Sequence, residues 1–78
     1  NELYELRIDE GGQLDSQPHK RGTVEILSVL KGSVEVTSGE AVSRLGRGDS
    51  ARYAADVPHC IRAISGNARA FLVVQDAG

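Results

Sequence analysis

One cysteine, Cys60, and no methionine make up all the sulfur of this chain, so no intramolecular disulfide can form and the fold must hold without a covalent staple. A reducing, cytoplasmic setting is the expectation that follows. Tryptophan is absent and the aromatics are Tyr4, Tyr53 and Phe71 alone, too few for a platform on which bases or sugars would stack. The net charge is only -2, with both signs interspersed, so the chain lacks the basic stripe that a phosphate backbone requires. Nucleic-acid binding by this piece is thereby disfavoured. The longest apolar run, Ala70 to Val74, is far too short to span a bilayer, and no signal-peptide pattern opens the chain. No membrane partner is expected.

What is present reads as strand. Seventy-eight residues make one domain near the lower limit for a single hydrophobic core. Tyr4, Leu6 and Ile8 alternate with Glu5 and Arg7 in the two-residue period of a half-buried strand over Leu3 to Asp9, which Gly11-Gly12 ends. The short apolar run Val24 to Leu30 predicts a strand, Lys31-Gly32 a tight turn, and Val34 and Val36 the return arm of a hairpin. Further strands are expected over Ala41 to Leu45, around Ala51 to Ala55, over Cys60 to Ile64 and over Ala68 to Gln75, with Ser65-Gly66-Asn67 as a second hairpin turn. No window carries the apolar spacing of an amphipathic helix. The expected architecture is all-β, with roughly seven or eight short strands closed into a sandwich or small barrel.

Two histidines punctuate this pattern, each just after a proline. His19 stands shortly before Val24 to Leu30, and His59 opens Cys60 to Ile64. Gly12 precedes His19, Lys20 and Arg21; Gly22 to Val24 fill a short gap; Glu25 follows, and six residues separate it from Gly32. Further along, Gly48 and His59 hold a second fixed spacing across Ala54 and Asp56, with Ala63 beyond. These two stretches resemble the two motifs of the cupin superfamily over nearly the whole chain, which implies a double-stranded β-helix, the jelly-roll barrel. Arg21 stands where the first motif carries its second histidine, and Ala54, Asp56 and Ala63 replace the proline, glycine and asparagine of the second. The stretches PHKRGTVEILSVLKGSVEV and LGRGDSARYAADVPH are also similar to the C-terminal cupin domain of bacterial helix-turn-helix regulators of the XRE type. That resemblance implies a small-molecule effector, a homodimer, and DNA contact only through an upstream domain. Asn1 in place of an initiator methionine fits the expectation that residues 1–78 are a single cupin domain cut from a longer chain.

Strand alternation places Leu27 and Val29 on the face of Glu25, and Ile61 and Ala63 on that of His59. A carboxylate and an imidazole on such faces need partners. One solution is a divalent metal held by His19, Glu25 and His59, since two histidines and one carboxylate form a facial donor set, with Gln17 as a further oxygen donor. Arg21 works against a metal, because a guanidinium stays charged and cannot ligate; it suits an anionic effector instead. The third alternative is a satisfied polar cluster with no ligand. His19, Arg21, Glu25, Tyr53 and His59 are therefore the candidate ligand-binding residues; Tyr53 lines the pocket or is an ordinary core tyrosine. No residue is assigned a catalytic role, and a stand-alone metalloenzyme of dioxygenase or isomerase type remains the alternative. Cys60 faces away from His59 as a packed thiol.

Overall fold

The computed structural model describes residues 1–76, so the last two positions of the expected domain lie outside the described residues. Six strands form in chain order: β1 (Glu2–Ile8), β2 (Gln13–Ser16), β3 (Val24–Ser38), β4 (Ala41–Leu45), β5 (Ser50–Ala54) and β6 (His59–Gln75). No helix occurs among the described residues, and none is long and apolar enough to cross a membrane.

β3 and β6 are the frame. They pair antiparallel from Val24↔Gln75 to Ser38↔His59, along nearly their whole lengths. Each is flanked by a different short strand on each half. The first half of β3 pairs with β5 and the second with β4; the first half of β6 pairs with β2 and the second with β1. The result is two four-stranded rows, β1–β6–β3–β5 and β2–β6–β3–β4, which fold over a shared core of Ile8, Leu27, Val34, Val36, Ile61 and their neighbours. This is the expected jelly-roll.

Two expected hairpins are instead single bent strands. Residues that share a strand face differ by an even number of positions. In β3 the buried positions run Glu25, Leu27, Val29 and then Val34, Val36, Ser38, so the parity changes across a five-residue step. β6 does the same between Ala63 and Ala68. The two steps lie opposite each other, where the register shifts between Val29 and Val34. Each strand therefore presents its inner face to both rows by inserting bulge residues. Gly32 and Gly66 are the glycines there, with φ of +77° and +70°. Positive φ suits glycine in a bulge as well as in a turn, so Lys31-Gly32 and Ser65-Gly66-Asn67 read alike in either case. β2 was not anticipated: Leu14 is its only apolar residue, and three of its four positions are exposed. Residues Gly46 to Asp49 form a turn, the Asp49 carboxylate accepting the Gly46 N–H at 2.9 Å.

On the outer face of the β2–β6–β3–β4 row, Glu35 accepts hydrogen bonds from Arg62 and Arg44, each at 3.1 Å, and these hold its carboxyl below its ordinary value of 4.5. A folded pKa below the unfolded one means the stabilisation is complete above the unfolded value and is lost as pH falls through the folded one. Glu35→Gln is accordingly expected to lower Tm slightly at neutral pH and to converge with wild type well below about pH 4.5, so that the acid limb is flatter. Glycine substitutions test the bend. A Cβ on Gly32 would stand 2.5 Å from the Asn67 carbonyl oxygen, whereas one on Gly48, also at positive φ, meets nothing within 4 Å. Gly48→Ala should cost about 1–2 kcal/mol of backbone strain, and Gly32→Ala about 1–3 kcal/mol more, read as a difference in urea midpoints at unchanged m.

Candidate ligand and metal site

Glu25 and Tyr53 are register partners on β3 and β5, and both face inward. Glu25 is buried, at 3% exposure. The Tyr53 hydroxyl donates to Glu25 Oε1 at 2.7 Å. Burial, and then the neighbouring carboxylate, push the Tyr53 phenol well above its ordinary range, so it stays a donor.

The histidines arrive from two loops that are clipped together. The His19 N–H donates to the Ala55 carbonyl at 2.8 Å, the Ala55 N–H to the Thr23 carbonyl at 2.9 Å, and the Gly22 N–H to Asp56 Oδ2 at 2.9 Å. Pro58 then leads directly into β6, whose first residue, His59, points into the core. The consequence is convergence. His19 Nε2 lies 3.1 Å and His59 Nε2 3.0 Å from the same oxygen, Glu25 Oε2. The imidazole rings sit 5.2 Å apart. His59 is sealed, with 1% of its side chain exposed, while His19 remains 43% open to solvent.

The tautomer of His59 follows from its other nitrogen. Nδ1 lies 2.8 Å from the Val57 carbonyl, which can only accept, so Nδ1 carries the hydrogen. In a neutral ring Nε2 then presents a lone pair to a carboxylate oxygen, and two lone pairs at 3.0 Å repel. The contact needs something between the two atoms: a proton, carried by either partner, or a metal. A histidine whose outer N–H is tied to a backbone carbonyl is the arrangement in which metal ligands are held. The donor atoms of His19, Glu25 and His59 all lie within 4.8 Å of one another. Bond lengths of about 2.1 Å at right angles would space neighbouring donors by about 3.0 Å, which the two contacts to Glu25 already match, while the wider separation within the trio, up to 4.8 Å, would have to close by a shift of the exposed His19 ring. The residues present therefore fit a divalent ion.

Beside this cluster lies a cavity of about 340 Å³. Leucine, isoleucine, valine and Tyr4 side chains give it an apolar wall, and Glu2, Asp15, Ser16, His19 and Glu25 contribute its polar groups. Arg21 does not take part. It is exposed on the turn after His19, lines no part of this cavity, and makes no hydrogen bond or ion pair with the four clustered side chains among the described residues. Gln17 is likewise exposed and is not one of the converging donors. Cys60 faces away from His59, as alternation requires, and burial followed by a contact with Asp15 pushes its thiol up to about 11. Two contributors carried no sequence signal: Val57, which acts through its backbone carbonyl, and Asp56, whose carboxylate ties down the His19 loop. Tyr53→Phe leaves the inner Glu25 oxygen without its donor and is expected to cost about 1–3 kcal/mol in urea unfolding.

The cupin domain family model matches residues 4–75. The helix-turn-helix transcriptional regulator SutR of Escherichia coli K12 is 30% identical over 61 residues, which are 78% of this chain and 34% of that protein. This chain thus spans about a third of that relative's length. An HTH_3 family transcriptional regulator from Vibrio cholerae superposes with a TM-score of 0.92 at 28% identity, covering 97% of this chain and 43% of the other. The Cupin_2 domain of an XRE family transcriptional regulator from Enterobacter cloacae superposes at 0.89 with 22% identity, over 97% and 81% of the two chains.

Proposed function

Because the chain belongs to the cupin domain family and is related to the cupin domains of transcriptional regulators, we propose that it is the sensing domain of a bacterial regulator. In this reading a small effector enters the cavity beside His19 and Glu25, the domain works as a homodimer in the cytoplasm, and DNA is held by a helix-turn-helix region outside residues 1–78. Effector binding acts only through a difference in affinity between two arrangements of the whole protein. The observation that carries the reading is the meeting of two imidazoles and a buried carboxylate against an apolar cavity of about 340 Å³, near the lower end of the size range of small-molecule sites.

His19, Glu25 and His59 would hold a divalent ion, which when bound supplies Lewis acidity to a ligand atom. Tyr53 keeps the inner oxygen of Glu25 engaged and so orients the outer one toward the histidines. The Val57 carbonyl holds His59 in the tautomer that offers Nε2. No lysine or arginine lines the cavity, which argues against the anionic effector that Arg21 suggested and for a small, largely apolar one. The same donor set supports a second reading, a metalloenzyme, distinguished by turnover of a candidate substrate by the purified metal-loaded domain.

Metal titration tests the site. Calorimetry with Mn²⁺ or Zn²⁺ is expected to give about one ion per chain. His19→Ala, on the exposed histidine, should weaken binding by at least about tenfold with unchanged circular dichroism. Saturation at no ion per chain under non-chelating conditions would leave the cluster a structural one. Sequencing upstream of Asn1 checks the regulatory half, and an open reading frame without a helix-turn-helix pattern there would remove it.

A further inference from the structure

The cavity beside Glu25 has a rim and a floor. Glu2, Tyr4 and Leu14, from the edge strands β1 and β2, line it and are exposed, whereas Glu25, Leu72 and Val74 line it and are buried. Alternation with Leu6 and Ile8 turns Glu2 and Tyr4 to the inner side of β1. Val74 is the register partner of Glu2 on one side and of Glu25 on the other, so the two acids flank one apolar side chain. Two strand spacings place them about 10 Å apart. They differ in what answers their charge. Glu25 is met by Tyr53 and both histidines. Glu2 makes no ion pair among the described residues, and its neighbour on the same face is Tyr4, whose phenol is pushed above its ordinary value by contact with the Glu2 carboxylate first. Asp15 adds no charge inside, because its carboxylate accepts Gln13 Nε2 at 2.9 and 3.1 Å and alternation turns it outward with Cys60. No lysine or arginine lines the cavity.

We infer that the effector is an organic cation, an ammonium group on a small apolar body, with the ammonium held at the rim by Glu2 and Tyr4 and the body laid over Leu14, Leu72 and Val74. The inference rests on the reading of the cavity as an effector site and names the class of molecule that fills it. The cavity makes the site; its charges select the occupant. A negative charge at the mouth of an apolar cleft that holds no lysine or arginine draws in positive ligands and repels carboxylates and phosphates. An aromatic ring beside that carboxylate adds cation–π attraction to the charged hydrogen bond. A neutral apolar ligand would instead cover the Glu2 carboxylate and leave it without a partner. The cluster around Glu25 lies about a Debye length from the rim, so a proton or metal ion held there repels the ammonium only weakly. Both can be bound at once.

Hexylamine, hexanol and hexanoate share one apolar body and differ in charge. Titrating each into the chain as given, followed by the NMR shifts of the Leu72 and Val74 methyl groups, tests the assignment; chelator is present so that no ion offers hexanoate a ligand position. Hexylamine is expected to bind about fivefold more tightly than hexanol, and hexanoate more weakly than either, with the advantage of the amine shrinking as salt rises. Glu2→Gln should bring hexylamine within about twofold of hexanol, at unchanged hexanol affinity and unchanged circular dichroism. Glu2→Lys should put hexanoate ahead of hexylamine. Glu5→Gln, which removes the same charge from the outer face of β1, should keep the wild-type order. Equal binding of hexylamine and hexanol, or a preference for the amine that survives Glu2→Gln, would overturn the assignment and leave the effector cavity standing. Methyl shifts unmoved by all three compounds up to their solubility limits would overturn the cavity reading and this inference with it.

Discussion

A buried carboxylate cannot remain in an apolar interior without counterparts, and the placing of the loops around Glu25 follows from that requirement. Three side chains answer it: Tyr53 from the neighbouring strand, His19 from the loop before β3, and His59 from the start of β6. None is close to Glu25 by chance of sequence. Tyr53 is delivered by strand register, His59 by the proline-led entry to β6, and His19 by backbone hydrogen bonds that strap its loop to residues 55 and 56. The arrangement also explains why one end of the molecule is polar inside while the other is packed with aliphatic side chains. The cavity sits at the boundary between them.

The same economy governs the sheets. In so short a chain, two long strands do the work of four by changing face at matched bulges, so one antiparallel ladder serves both rows. Glycine at the bulge in β3 lets the backbone of β6 approach to a distance that a side chain would forbid.

Much of this was legible in the residues. Alternation placed Glu25 with Leu27 and Val29, and His59 with Ile61 and Ala63, and all six are buried. The spacing of Gly12, His19, Glu25 and Gly32, and of Gly48 and His59, pointed to the right fold and to a cluster that the structure brings together. What failed did so for identifiable reasons. A glycine with positive φ has the same local signature in a hairpin and in a bulge, so Gly32 and Gly66 were assigned turns that do not exist. β2 is held by hydrogen bonds to β6 at an exposed edge, and its pattern carries almost no hydrophobic signal. The Val57 carbonyl is a backbone group, which any residue would supply.

The long ladder between β3 and β6 has a bearing on how the chain reaches this state. Its near end joins Ser38 to His59, 21 positions apart, and its far end joins Val24 to Gln75, 51 apart. Loop-closure entropy favours starting at the near end by about 0.8 kcal/mol, with the remaining pairs added by zipping. A chain that zips from that end places His59 at the outset and Glu25 among the last pairs. The polar cluster draws on both ends of the ladder, so anything that binds there stabilises only a chain whose zipper has closed.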